Sequence, residues 1–322
     1  MDDYLVRILT KAGTFRGLAC VSTGVVAEAA RRHGTLPTAT AALGRALTGG
    51  VLMGALLKTD QRVALKFEGN GPLGKILIEA LSTGAVAGTV GNPAVDLPLL
   101  DGRPDVAGAL GRAGLLTVTK DLRLKQPYQG TVRLTSSEIG EDLAMYLTES
   151  EQVPSAVRLD VFVEQDGTVG AAGGFLIQSL PPQDETAIHL LWERIGNLSS
   201  LSDHFCRGGT PEQLLDVLFV GIPFETFEKR VISFQCTCSR EKCEQALLTQ
   251  GKDALRAMAD REGGGTVTCA FCREVRNFSQ EEMGSLVDAL SEPVAPPPAP
   301  SDESGKTAVL DIRRTLEINK KT

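Results

Sequence analysis

The sequence predicts an α+β fold in three parts: an N-terminal domain of mixed sheet and helix, a helical middle linker, and a small C-terminal zinc module with four cysteines. Three observations predict it. Segments typical of strands and of helices alternate as far as about residue 180. After Pro181-Pro182, apolar residues recur with the period of a helix. Two close cysteine pairs lie between Cys236 and Cys272. The predicted boundaries are 1–180, 181–232, 233–290 and 291–322, the last a proline-rich tail predicted to be disordered.

In the first domain, Ser22 or Thr23 is predicted to cap a helix that ends at Gly34. The helix that follows Pro37 is apolar on almost every side, which is typical of a buried core helix. A strand is predicted around 62–68, where apolar and polar residues alternate. The remaining elements are predicted, in order, as strands near 75–80, 85–90, 115–120 and 128–134, a helix near 138–149, and a strand pair turning at Asp166-Gly167.

The middle segment, 183 to about 232, is predicted to be helical. Trp192 belongs to a helix-period stripe, and Thr210 opens a capping box with Pro211 at the first helical position. About fifty residues are too few to bury the large apolar side chains of this segment by themselves. The segment must therefore rest on its neighbours.

Composition and charge exclude several kinds of partner. The net charge of −7 disfavours binding to nucleic acid or to an anionic membrane. The longest apolar run, 46–57, is well short of the ~20 residues that a membrane-spanning helix needs. The N-terminus is acidic and lacks the apolar core of a signal peptide. We therefore expect a soluble cytoplasmic protein with no nucleic-acid or membrane partner.

The cysteines carry the most specific chemical signal. Cys236 and Cys238 stand two apart, so on an extended segment both sulfurs project from the same side. Cys269 and Cys272 form a CxxC turn, a spacing that lets two thiolates coordinate one metal ion. Four such sulfurs predict one structural Zn²⁺ with no open coordination position, which argues against a hydrolytic zinc.

The side chains around these cysteines admit more than one interpretation. Four cations, Arg240, Lys242, Arg273 and Arg276, either keep the sulfurs as reactive thiolates or are ordinary solvated charges. Cys243, on a predicted helix, is either a half-buried helix residue or a resolving thiol.

Other motifs favour structural roles. The GxGxxG pattern at 69–74 is predicted to be a glycine-rich hairpin turn rather than a dinucleotide site, because a strand follows it. His204 and Cys206 are predicted to lie at the end of a linker helix, and Cys20 to pack as a small apolar residue. No catalytic constellation is found by spacing, so no catalytic residue is predicted.

The segments CTCSREKC and CAFC, together with GNGPLGKI, PYQGTV and AAGGFLIQSLP, resemble the heat-shock protein 33 family of redox-regulated chaperones over about residues 3–290. The resemblance implies that the reduced, zinc-bound protein is inactive. Oxidation by peroxide under unfolding conditions, or by hypochlorite, would form two disulfides and release one zinc ion. The linker would then unfold, and the protein, as a homodimer, would hold unfolding client proteins without ATP.

The resemblance also implies residue roles. It makes the four cysteines both zinc ligands and redox switch, with the disulfides Cys236–Cys238 and Cys269–Cys272. Of these, the CxxC pair is expected to oxidise more readily, because the other ring is smaller and more strained. The linker side chains it would expose to clients are Trp192, Leu214, Leu218, Phe219 and Phe227.

Two rival functions remain. A thiol-disulfide oxidoreductase using CAFC would need a CxxC at the start of a helix in a βαβ pattern, and 266–280 lacks that context. A zinc ribbon that binds nucleic acid would need a basic surface. Residues 233–290 instead hold seven Lys and Arg against nine Asp and Glu. We therefore expect a chaperone rather than an enzyme.

Overall fold

The computed structural model describes residues 2–198, 200–290 and 316–318. Apart from 316–318, the predicted proline-rich tail lies outside the described residues. The chain divides into two compact units, Met1–Cys236 and Thr237–Thr322. Mixed sheet and helix confirm the predicted α+β class, whereas the four-part division remains a prediction.

The first unit contains two sheets and seven helices among the described residues. In chain order its elements are β1 (Tyr4–Thr10), β2 (Phe15–Val21), α1 (Thr23–His33), α2 (Pro37–Gly54), β3 (Arg62–Gly69), β4 (Lys75–Leu81), β5 (Ala85–Val90), α3 (Val106–Leu110), β6 (Gly114–Asp121), β7 (Tyr128–Arg133), α4 (Gly140–Glu149), β8 (Ser155–Val163), β9 (Val169–Ser179), α5 (Glu185–Asn197), α6 (Leu201–Cys206), α7 (Pro211–Leu218), β10 (Phe224–Val231) and β11 (Ser233–Phe234). Most predicted elements are therefore confirmed, while β1 and β2 were not predicted.

The five-stranded sheet, in the order β10-β1-β2-β9-β8, is antiparallel and has two buried faces. Because side chains alternate along a strand, Leu5 and Leu18 enter one core while Ile8 and Phe15 enter another. The first core continues over α1, α2 and the six-stranded sheet β11-β5-β4-β3-β6-β7. Within it, α2 is buried along almost its whole length, as predicted.

The second core covers the other face of this sheet with the helices of the middle segment. α5, α6, α7 and the residue after α7 contribute Leu191, Leu201, Phe205, Leu214, Leu215, Leu218 and Phe219 to it. Thr210 caps α7 in the predicted capping box. The segment thus rests on the sheet, as its apolar content required. We call α5–α7 the linker helices.

The last part of the middle segment is not helical, which corrects the sequence prediction. Residues 224–231 form β10, which pairs antiparallel with β1. α7 ends at Leu218, Gly221 adopts a left-handed conformation (φ 76°), and Pro223 follows, so the chain cannot continue as a helix. Aromatic and β-branched residues then favour a strand on the edge of β1.

The start of α1 is capped by a residue that the sequence did not indicate. Ser22 occupies the N-cap position, but its side chain makes no capping hydrogen bond and instead meets the Thr48 hydroxyl at 2.7 Å. The carboxylate of Asp3 accepts hydrogen bonds from the backbone N–H groups of Gly24 (3.0 Å) and Val25 (2.6 Å). Burial raises the pKa of Asp3 above its ordinary value, although these two hydrogen bonds oppose the shift.

Replacing Asp3 with alanine is expected to lower the stability of the first unit by about 1–2 kcal/mol, because two helix N–H groups lose their acceptor. Asp3→Asn, which retains an acceptor, should cost less. Because the pKa of Asp3 is raised in the folded state, its contribution to stability falls as the pH rises above about 4, and Asp3→Asn should lack this pH dependence. Urea unfolding followed by circular dichroism tests this, with Asp2→Ala as the control. Equal loss from Asp2→Ala and Asp3→Ala would contradict the capping role.

The second unit is a small module around a hairpin. Its described elements are α8 (Arg240–Leu248), α9 (Lys252–Glu262), β12 (Gly264–Cys269), β13 (Val275–Ser279), α10 (Gln280–Ala289) and β14 (Leu316–Ile318). β12 pairs antiparallel with both β13 and β14. Cys243 lies on α8, which confirms the helix predicted around it. Its apolar core is confined to a few side chains of α8, α9, α10 and the hairpin.

Across the part of the chain that the structure describes, none of the helices combines the length and the apolar character that crossing a bilayer requires.

Candidate metal centre

Two local structures bring the four cysteines together. Cys236 and Cys238 follow β11 on non-helical backbone, and the next residue, Ser239, caps α8 by accepting a hydrogen bond from Lys242 N–H. Cys269 ends β12, and Cys272 lies in the turn that leads to β13. That turn is closed by the hydrogen bond from Arg273 N–H to the Cys269 carbonyl (2.8 Å), with Arg273 in a left-handed conformation (φ 59°).

The sulfur geometry suits a tetrahedral ion. The four Sγ atoms all lie within 4.8 Å of one another, and those of Cys238 and Cys272 are 3.5 Å apart. A tetrahedral zinc with Zn–S bonds of about 2.3 Å has sulfur–sulfur edges of about 3.8 Å. Among the described residues, these four form the group of His, Cys, Asp and Glu side chains that is close enough to hold a metal. The donor set therefore fits one Zn²⁺ with all four positions filled by protein.

The cysteine pairs differ in solvent access. Cys269 and Cys272 are buried, whereas Cys236 and Cys238 are half-buried. Because all four sulfurs are mutually close, their positions do not distinguish one disulfide pairing from another. The pairing Cys236–Cys238 and Cys269–Cys272 accordingly rests on the resemblance.

Arg276, one of the four predicted cations, interacts with a cysteine sulfur. Its side chain interacts with Cys238 and forms an ion pair with Glu274 (Nη2 to Oε1, 2.9 Å). Burial works against the charge, but Glu274 and Cys238 outweigh it, so the pKa of Arg276 is raised. Four thiolates around one Zn²⁺ leave an excess charge of −2, which Arg276 partly offsets.

Two of the other predicted cations, Arg240 and Lys242, contact groups other than the cysteine sulfurs. Arg240 forms an ion pair with Glu282 (2.5 Å) and stacks over the ring of Phe278 (4.5 Å), so it ties α8 to α10 and to the hairpin. Lys242 donates from Nζ to the Thr237 carbonyl (2.7 Å) and thereby holds the backbone between the first two cysteines. These contacts position the loops that carry the sulfurs.

Sequence reasoning missed Glu274, whose carboxylate lies 4.0 Å from the Cys238 sulfur. A signal was present: Glu274 and Arg276 are two apart directly after the CxxC turn, so on a strand they share a side.

The remaining cysteines lie in different surroundings. Cys20 is fully buried in the first core, which confirms its predicted packing role, and burial raises the pKa of its thiol. Cys243 is buried in the core of the second unit rather than half-buried, and burial raises its pKa as well. Cys206 is exposed at the end of α6, where His204 Nε2 lies 3.0 Å from the Thr210 carbonyl oxygen. The predicted helix-end location of His204 and Cys206 is therefore confirmed.

The two motifs considered for other activities lie in hairpins. The GxGxxG residues connect β3 to β4, which confirms a turn between strands. CAFC lies between β12 and β13 and does not begin a helix. The context of a thioredoxin-type CxxC is thus not present in this segment.

The predicted client-exposed side chains fall into two groups. Leu214 and Leu218 on α7, and Phe219 just after it, are buried in the core against the sheet, and Trp192 is half-buried. Phe227 is instead 64% exposed on β10.

Comparison with known proteins decides the family. The family model described as Hsp33 protein matches residues 3–279. The chain belongs to the Hsp33 family. One Hsp33 relative is the "33 kDa chaperonin" of Geobacter sulfurreducens, 60% identical over 291 residues, which are 90% of this chain and 97% of the relative. The protein of the same name from Enterococcus faecalis is 43% identical over 289 residues, 89% of this chain and 97% of that protein.

A solved structure agrees. The crystal structure of the 33 kDa chaperonin (heat shock protein 33 homolog) from Thermotoga maritima matches with a TM-score of 0.84 and 37% identity, over 90% of this chain and 99% of that one. Membership of the Hsp33 family supports a chaperone function that acts on client proteins, and the four-cysteine cluster is compatible with a metal-binding module.

Proposed function

We propose that the protein is a redox-regulated, ATP-independent holdase of the bacterial cytoplasm. In its reduced form Cys236, Cys238, Cys269 and Cys272 would hold one Zn²⁺, and the protein would be inactive toward clients. The observation that carries the proposal is the cluster of four sulfurs within 4.8 Å in an Hsp33-family chain. Bound zinc would supply a structural crosslink and no reaction.

Oxidation would convert the ligands into two disulfides. In each pair, two thiolates give up two electrons and form an S–S bond, and a peroxide molecule accepts those electrons and two protons to become two waters. Disulfide sulfur is a far weaker zinc ligand than thiolate, so the ion would be lost. We assign the pairs as Cys236–Cys238 and Cys269–Cys272, in line with the family resemblance.

Loss of the ion would destabilise the second unit, because a module of about fifty residues has little apolar core of its own. Its core among the described residues comprises nine buried side chains, one of which is Cys243. The chain that precedes Cys236 consists of β11 and β10 at the end of the middle segment. We propose that unfolding spreads through these edge strands to the linker helices.

Release of the linker helices would expose two apolar surfaces. One is their own inner side, with Leu214, Leu218 and Phe219, and the other is the face of the sheet that carries Ile8 and Phe15. Exposed apolar area of this kind binds unfolding proteins without sequence specificity. A homodimer of the oxidised protein would present two such pairs of surfaces.

Polar contacts would set how readily the linker helices leave. The Tyr4 hydroxyl donates to Glu212 on α7 (2.7 Å), and Lys229 on β10 forms an ion pair with Glu212 (3.0 Å). Burial and the contact with Glu212 raise the pKa of Tyr4 to about 12, so this hydroxyl remains a donor at neutral pH. Such partly exposed polar links contribute little energy, which suits a segment that must detach.

Light scattering by a chemically unfolded client, diluted into each form of the protein, tests the proposed function. Protein oxidised under mildly unfolding conditions is expected to suppress aggregation, whereas the reduced zinc form should not. Catalytic reduction of an added disulfide substrate, without suppression of aggregation by either form, would instead favour the oxidoreductase. Equal suppression by both forms would contradict redox control.

A further inference from the structure

A cavity of about 760 Å³ in the first unit has a strongly cationic lining and no carboxylate among its lining residues. It lies where β1, β2 and β10 approach the end of α2 and the turn between β4 and β5. The four cations that line it are Arg7, Arg16, Lys58 and Arg230. None of the functions proposed above uses this cavity.

These cations are only partly neutralised by the protein. The guanidinium of Arg7 and the ammonium of Lys58 have no hydrogen bond or ion pair within the described part of the chain. Arg16 donates to the neutral amide of Gln178, and its pKa is lowered by burial and by the nearby charge of Arg7. Arg230 is paired, because it contacts Glu228 and the Ser82 carbonyl.

Two carboxylates that act on the lining arginines do not themselves line the cavity. Glu228 stands opposite Arg7 in the β1–β10 pairing but is engaged by Arg230, and Glu151 acts on Arg16 through space while it pairs with Lys120. The lining itself therefore carries four cations and no acid. The carbonyl end of α2 favours nearby cations, but this effect falls off within the last turn and does not account for arginines on three separate strands.

The other lining residues add an apolar wall and a buried hydroxyl group to the cationic side chains. Leu56 and Leu57, just beyond α2, give one wall an apolar surface. The Ser82 hydroxyl is buried and has no hydrogen-bond partner among the described residues. A volume of this size suits a small molecule, and guanidinium groups match the oxygens of phosphate in pairs.

We propose that this cavity binds a phosphorylated small molecule through its di- or triphosphate group. Arg7, Arg16 and Lys58 would contact the phosphate oxygens, and the leucine wall would pack against an organic part of the ligand. The proposal is one of binding without hydrolysis.

One consequence rests on the proposed holdase function. Because Arg230 lies on β10, a ligand bound here would join that strand to β1, β2 and the end of α2. A ligand that binds only the docked arrangement stabilises it by mass action, so it would slow release of the middle segment after oxidation.

Isothermal titration calorimetry on the reduced full chain tests the site without clients or oxidant. The probes are inorganic tripolyphosphate and ATP, without divalent metal, at low and physiological salt. We expect binding by the unchanged protein and a dissociation constant at least tenfold higher for the double variant Arg7→Gln/Lys58→Gln. The control variant Arg112→Gln/Lys125→Gln, with two exposed cations elsewhere in the same unit, should bind as the unchanged protein does.

The outcomes separate the alternatives. Tighter binding of ATP than of tripolyphosphate supports a nucleotide-like ligand on the leucine wall, and equal binding supports recognition of the phosphate chain alone. No binding at physiological salt, or the same loss of affinity in both variants, would overturn the site. Lys58→Gln alone, on an exposed side chain, gives a second measurement should the double variant fold poorly. None of these outcomes bears on redox control, so the two proposals fail separately.

Discussion

Replacing Cys269 with serine is expected to unfold the second unit while the first unit stays folded. Structural zinc contributes roughly 10–16 kcal/mol to the folding of small modules, as much as or more than the ~5–15 kcal/mol that stabilises an entire domain. A serine hydroxyl is a poor substitute for a thiolate ligand. Zinc content should fall from one ion per chain to almost none, and the amides of α8, α10 and the β12–β13 hairpin should lose their protection from hydrogen exchange.

Cys206→Ser is the matched control for this variant, because Cys206 is an exposed thiol outside the cluster. It should retain zinc and full protection. A chelator added to the unchanged protein should reproduce the effect of Cys269→Ser. Full protection of the hairpin in metal-free Cys269→Ser would show that the apolar core alone folds the module and would remove the basis of the switch.

Replacing Phe219 with alanine is expected to make the reduced, zinc-bound protein suppress client aggregation without oxidant. Phe219 is buried, and its ring packs against Phe15 of the sheet (centroids 6.4 Å apart) and against Phe224 (5.7 Å). Losing a buried aromatic ring costs about 3–5 kcal/mol. This loss falls on the contact between the linker helices and the sheet, so the docked state should lose much of its population.

Light scattering and limited proteolysis within 198–222 measure this effect. Val217→Ala and Val220→Ala are the controls, since both side chains are more than half exposed, Val217 on α7 and Val220 just after it. They should remain inactive until oxidised. Leu214→Ala, a second buried site in the same core, should behave like Phe219→Ala. Linker cleavage in Phe219→Ala without any gain in suppression of client aggregation would contradict the prediction, because it would show that release of the linker helices does not by itself allow client binding.

The cysteine site was predictable from the sequence because its chemistry depends on short-range spacing. Two residues on an extended segment and a CxxC turn each fix a pair of sulfurs locally, and four sulfurs brought together can hold one metal ion. The hairpins were also predictable, since Asp166-Gly167 and the glycines at 69–74 specify turns within a few residues.

The contacts made over long sequence distances were not predictable. Asp3 caps a helix about twenty residues away, which no pattern around Ser22 reveals. The aromatic residues of 224–231 continue an apolar segment that predicts a helix, and only pairing with the edge of β1 selects a strand. The interaction of Arg276 with Cys238 likewise depends on how the hairpin and the first cysteine loop meet.

The most direct measurement is amide hydrogen exchange of residues 201–219, which hold α6 and α7, in reduced and in oxidised protein, with zinc measured in the same samples. The account predicts that these amides are protected while zinc is bound and exchange rapidly once two disulfides have formed and zinc is gone. Strands β3, β4 and β6 should stay protected in both forms. If α6 and α7 remained as protected after zinc loss as before it, control of the linker helices by the cysteine cluster would be contradicted.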